Sequence, residues 1–138
     1  MQDKFAALAQ ALRVELAGLP PALVQEEVQR QTIICLLYQA VRGMGLIPVP
    51  SWKPPRSTRD RIDLVGVAPG SHPPQVELAF AVSPLVELAQ LKALEWVECP
   101  HKIVVTFSER ADKVRQTTFF LGKEHTHLYL YEDQTAQR

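Results

Sequence analysis

Arg61-Ile62-Asp63-Leu64-Val65-Gly66-Val67 and Gln75-Val76-Glu77-Leu78-Ala79-Phe80-Ala81-Val82 decide the fold. Each is a short run rich in β-branched and aliphatic residues, and Pro69 to Pro74 between them turns the chain. A helical segment over residues 84–98 follows, and then the strand His101-Lys102-Ile103-Val104-Val105-Thr106-Phe107. Strand, turn, strand, helix, strand is the signature of a sheet that ends in a crossover. Asp63 and Glu77 each interrupt an apolar strand. A carboxylate inside a core strand is costly to desolvate unless a cation, a metal or hydrogen-bond donors meet it. The sequence therefore places two acids on neighbouring strands, at one end of one sheet, as a candidate metal site.

Upstream, residues 2–17 carry Phe5, Leu8, Leu12 and Leu16 at helical spacing, and Gly18, Pro20 and Pro21 break that helix. A second helix is expected from residue 21 or 22 to Arg42, with Gly43 and Gly45 suited to its end. Leu46 to Val49 reads as an edge strand, because Pro48 and Pro50 cannot donate to a ladder. Downstream, residues 114–121 are ambiguous between strand and irregular structure, His127 to Tyr131 reads as a last strand, and the tail from Glu132 is expected to fray. The fold class is α/β, a central mixed sheet of four to five strands flanked by helices, in a single domain over residues 1–138.

Composition bounds the function. Apolar residues form 46% of the 138, enough for a real core, and no run reaches a membrane span. The N-terminus lacks the charge and apolar run of a signal peptide. Cys35 and Cys99 lie far apart, and Cys35 inside an apolar helix reads as a small buried hydrophobe, so a reduced, cytoplasmic protein without a disulfide is expected. Zero formal net charge argues against tight indiscriminate binding to phosphates. His72, His101, His125 and His127 lack zinc spacing, and Gly43-Met44-Gly45 is not a phosphate loop.

With helix, three strands, helix and strand in that order, and with Asp63 and Glu77 on the second and third strands, the chain resembles the restriction-endonuclease-like, or PD-(D/E)XK, superfamily over about residues 21–131. That family's motif has an Asp on the second strand and Glu-x-Lys on the third, often with a Glu on the first core helix. Asp63 matches the Asp and Glu77 the Glu, while Glu77-Leu78-Ala79 has Ala where the Lys belongs. Gln25-Glu26-Glu27-Val28-Gln29-Arg30-Gln31 resembles the first core helix. Helical phase puts Glu26 on the stripe of Leu23, Ile33 and Leu37, where it can also pair with Arg30. On the helix 84–98, Leu85, Leu88, Ala89, Lys92 and Trp96 form one stripe, so Lys92 falls on the apolar face, as a lysine that has migrated in some members of the family would. Lys102 is a weaker substitute.

The resemblance implies a Mg²⁺-dependent phosphodiester hydrolase, with Mn²⁺ as a substitute metal, Asp63 and Glu77 as ligands, and Glu26 and Lys92 completing the catalytic set. Mg²⁺ takes hard oxygen ligands and lowers the pKa of bound water. With no lysine in the motif, activity is expected to be weak or lost. The alternative is a non-catalytic binding or assembly module of the same fold. Trp52, Lys53, Arg56, Arg59 and Arg61 lie within ten residues and offer cations for phosphates and a ring for a base, a candidate nucleic-acid-binding loop. A homodimer or larger protein assembly is the other candidate partner.

Overall fold

The computed structural model describes residues 2–57 and 60–131. Arg59 and the tail from Glu132 lie outside the described residues. Helix α1 covers Gln2–Ala17. A single 3-10 turn at Pro21–Leu23 precedes helix α2, Glu26–Gly43. The second helix thus starts about four residues later than the sequence implies, because Pro20 and Pro21 hold a separate turn. Strands β1 (Ile47–Trp52), β2 (Ile62–Val67) and β3 (Val76–Ser83) form an antiparallel meander. Helix α3 (Leu88–Glu95) leads to strand β4 (His101–Thr106), parallel to β3. Helix α4 (Ala111–Thr117) leads to strand β5 (His125–Tyr129), parallel to β4. The five strands make one open sheet in sequence order, β1 and β5 at its edges. The fold is therefore α/β, with a mixed sheet and four α-helices among the described residues. The ambiguous segment at 114–121 is helical in its first half, where Val114 is the buried anchor of α4.

Two cores form on the two faces of the sheet. On one, α1 and α2 bury Phe5, Leu12, Leu16, Ile33, Leu37 and Val41 against Leu64, Leu78, Phe80 and Val82. The four-residue spacing of Ile33, Leu37 and Val41 keeps one stripe of α2 on the sheet. On the other face, α3 sets Leu91, Ala93 and Leu94 over Val65, Ala79, Ala81 and Val104. Each large side chain fully buried this way contributes about 1.5–3 kcal/mol. Small Ala79 and Ala81 allow α3 to sit close. Gly66 does the same for α2, since a Cβ there would lie 2.9 Å from Val41 Cγ1.

One residue of β3 breaks the alternation. Gly66 pairs with Leu78 and Val67 with Val76, so Glu77 is the extra residue of a β-bulge. The bulge turns Val76 into the core under α3, whereas Leu78 lies in the core under α2. Strict period-two alternation along the strand would put Val76 and Leu78 on one face, and the inserted residue separates them.

Cys35 is exposed on α2 rather than buried, because it lies off the Ile33–Leu37–Val41 stripe; neither cysteine is in a disulfide. Among the described residues, no helix is long and apolar enough to cross a membrane.

Candidate functional site

The sequence-derived acids occupy different places. Asp63 precedes Leu64, which pairs with Phe80, so Asp63 stands opposite Ala81 near the end of β3. Glu77 lies four residues earlier on β3. At about 3.3 Å per residue, that separation is about 13 Å along the strand. Asp63 and Glu77 are on adjacent strands, but at opposite ends of the hairpin, which corrects the expectation that one end of the sheet gathers both. Glu77 is half-buried beside Phe5, Met44, Leu46 and His101, in a shallow hollow of about 310 Å³.

Around Asp63 four elements converge. Arg30 of α2 pairs through Nη2 with Asp63 Oδ1. The Val82 backbone N–H donates to Asp63 Oδ2 at 2.6 Å. Gln90 of α3 donates through Nε2 to the same oxygen at 3.1 Å and to the Val82 carbonyl at 3.2 Å. Arg30 also donates to the Val82 carbonyl at 3.2 Å, and to Glu27 Oε1 at 3.2 Å. The Asp63 side chain is 11% exposed. Burial pushes its carboxyl above the ordinary carboxylate value, and the Val82 N–H and the Arg30 guanidinium pull partly against that. Both oxygens thus have donors from the protein itself, and the carboxylate ties α2, β2, β3 and α3 together.

The remaining members of the expected site lie elsewhere. Glu26 is the exposed first residue of α2, and Arg30 pairs with Glu27 and Asp63 instead of Glu26. The helix over 84–98 is shorter than expected, Leu88–Glu95, and its buried stripe is Leu91, Ala93 and Leu94. Leu88, Ala89, Lys92 and Trp96 are exposed, so Lys92 points away from the sheet and the apolar-face assignment is corrected. Two apolar stripes compete on this helix, and β-sheet contact selects the one a quarter-turn from Lys92. Lys102 is half-buried at the start of β4, paired in register with Ala79.

A shared Mg²⁺ site does not fit these residues. Asp63 already accepts from an arginine, an amide N–H and Gln90, and the other carboxylate of the expected pair is at the far end of the hairpin. Among the described residues, no group of three His, Cys, Asp or Glu is arranged to hold a metal.

The described part of the segment between β1 and β2 is held by its own hydrogen bonds. Ser57 is buried, accepts the Asp60 N–H and donates to the Asp60 carbonyl, while Ser57 N–H donates to the Pro54 carbonyl. Lys53, Arg56 and Arg61 are exposed, and Arg61 donates to the Ser51 carbonyl at 2.9 Å. Trp52 is half-buried against the core under α3. It also lines a groove of about 1200 Å³ with Ile47, Val49, Val67, Pro74 and Trp96, which had no sequence signal because its walls come from three separated segments. Searches against family models, curated proteins and solved structures return no match to this chain.

Proposed function

We propose that the chain is a non-catalytic binding or assembly module built on a restriction-endonuclease-like core. The order α2, β1, β2, β3, α3, β4 supports the core reading, since it follows the helix, three strands, helix, strand order of that superfamily. The observation that carries the loss of catalysis is the set of partners on Asp63. In a hydrolase of this kind the carboxylate must offer its oxygens to a cation. Here they accept from Arg30, Val82 N–H and Gln90. The β3 residues beside Asp63 are Ala81, Val82 and Ser83, which supply no acid and no base. Lys92 on the outer face of α3 does not replace the missing lysine.

The deciding experiment is incubation of the pure chain with labelled single- and double-stranded DNA and RNA in Mg²⁺ or Mn²⁺, with a thermal melt in each metal. The module reading expects no cleavage and no metal-dependent rise in melting temperature, because a ligand that binds only the folded state must raise it. Cleavage that disappears in Asp63→Asn would overturn the reading.

A further inference from the structure

We propose that His125 is an acid-released latch, which holds the segment joining α4 to β5 in place only while its imidazole is neutral.

That segment is tied down at three points. Helix α4 ends at Thr117, a single 3-10 turn covers Thr118–Phe120, and β5 starts at His125. The front tie involves no titratable group. Val114 is buried, and Thr117 Oγ1 accepts the Val86 N–H at 3.2 Å and donates to the Val114 carbonyl at 2.8 Å. In the middle, Leu121 packs against the core under α3. The rear tie is His125, which closes the turn twice. Its backbone N–H donates to the Gly122 carbonyl at 3.2 Å, and its ring Nδ1 accepts the Gly122 N–H at 2.8 Å. Between the ties stands Phe119, 76% exposed, its ring centroid 4.2 Å from that of Phe120.

The ring bond fixes the protonation state. A backbone N–H donates and never accepts, so Nδ1 must present its lone pair. The neutral ring then carries its proton on Nε2, which lies 3.6 Å from Glu124 Oε1. A second proton has one place to go, Nδ1, where it would face the Gly122 N–H, donor against donor. The closed turn and the imidazolium therefore exclude each other.

The surroundings act the same way. The His125 side chain is 5% exposed, so a charge on it is poorly hydrated. Val104, in register with His127, lies in the core under α3; Lys102 and its register partner His125 share that face. Three charged groups face the ring. Glu124 of the turn and Glu95 at the end of α3 favour the imidazolium, and Lys102 of β4 opposes it. Burial is the largest influence and holds the imidazole below its ordinary value. In the opened segment the ring is hydrated and returns to that ordinary value of about 6.5. The closed form has the lower pKa, so its stability is complete above about pH 6.5 and is lost as pH falls. Opening becomes more favourable by at most about tenfold per pH unit, until the closed ring itself titrates. It frees Leu121 from the core and joins it to Phe119 and Phe120 in one exposed apolar stretch, so acid changes what this surface presents.

The test is amide hydrogen exchange of the full chain followed by NMR from about pH 8 down to about pH 5, expressed as protection relative to an unfolded chain at each pH. The Leu121 and His125 amides, which donate to the Thr118 and Gly122 carbonyls, report the segment, and the Val114 amide, which donates to the Arg110 carbonyl, reports α4. Protection at Leu121 and His125 should be level above about pH 7 and fall about three- to tenfold by about pH 5.5. Protection at Val114 should stay level over the same range. The His125 ring resonances should titrate below about 6.5. His125→Asn places Oδ1 where Nδ1 was and does not titrate, so its protection at Leu121 and residue 125 should not depend on pH. Wild-type protection that ignores pH overturns the proposal, as does a loss shared equally by Val114, which is general unfolding. A pH-dependent loss that persists in His125→Asn, or a His125 ring that titrates at or above about 6.5, overturns it too. The ring titration and the wild-type exchange decide the matter even with a His125→Asn chain that does not fold.

Discussion

Arg30 and Asp63 are 33 residues apart in sequence and form the ion pair that joins helix α2 to the open end of the β2–β3 hairpin. Arg30 is 27% exposed in its side chain and Asp63 is 11% exposed, so the pair is largely buried, with the guanidinium the more open partner. Its position, where the ends of α2, β2, β3 and α3 meet, makes an acid that reads as catalytic in the sequence into a structural tie.

Arg30→Met should therefore destabilise the fold by about 1–3 kcal/mol, since it leaves a largely buried carboxylate with fewer donors. The loss should depend on pH. Asp63 in the folded protein already holds its proton above the ordinary carboxylate value, through burial, with Val82 N–H and Arg30 opposing. Without Arg30 the folded pKa rises further. A group whose folded pKa exceeds its unfolded pKa adds stability below the unfolded value and loses that contribution as pH rises through the folded value. The deficit of Arg30→Met relative to wild type should be smallest in acid, where Asp63 is protonated with or without Arg30, and should grow as pH rises through the folded pKa into the alkaline range. Urea titrations across that range measure it, and a deficit that grew on acidification would reject this account.

Gly66→Ala should destabilise by about 1–3 kcal/mol, as overpacking does. Its new Cβ would lie 2.9 Å from Val41 Cγ1 and 3.1 Å from Leu46 Cδ1, where α2 crosses β2. Combining it with Val41→Ala should cost less than the sum of the two single changes, because the second removes the clashing methyl. Thermal unfolding of the four proteins of this cycle decides it, and strict additivity would place the strain elsewhere.

Legibility differed between the fold and the site for local reasons. Apolar periodicity carries Ile33, Leu37 and Val41 on α2 and Phe80 and Val82 on β3, and Pro48 with Pro50 marks β1 as an edge; the structure has all of these. The bulge at Glu77 has no such mark, since one inserted residue reverses strand phase without changing composition. Helix α3 carries apolar residues on two stripes, Leu88–Trp96 and Leu91–Leu94, and only contact with the sheet chooses the second. Asp63 was visible as a buried acid, but its donors Arg30, Val82 and Gln90 come from segments brought together only by folding.

Gln90→Leu should show that the same tie reaches α3. Gln90 Nε2 bridges Asp63 Oδ2 and the Val82 carbonyl, while Gln90 Oε1 is buried without a hydrogen-bond partner. The substitution removes two donated hydrogen bonds and also one unsatisfied acceptor. These effects oppose, so the expected net loss is about 0.5–1.5 kcal/mol, smaller than for Arg30→Met. Denaturant titration of both variants gives the ranking, and a Gln90→Leu loss exceeding that of Arg30→Met would reverse it.

Lys92→Met, Glu77→Ala and Asp63→Ala separate a structural carboxylate from a catalytic set. In a hydrolase built on these three residues, each change would remove turnover while leaving much of the fold in place. Here the expectation is a graded effect on stability and none on cleavage. Lys92 is exposed on the outer face of α3, so Lys92→Met should lie within about 0.5 kcal/mol of wild type, as exposed substitutions do. Glu77 is half-buried at a bulge, and Glu77→Ala should cost no more than about 1 kcal/mol. Asp63→Ala leaves the Val82 N–H and the Gln90 amide without their acceptor and Arg30 without its principal carboxylate, so it should cost about 2–4 kcal/mol. Urea unfolding of the three variants gives the order directly. Near-equal losses, or a Lys92→Met variant as unstable as Asp63→Ala, would mean that Lys92 reaches the Asp63 centre after all.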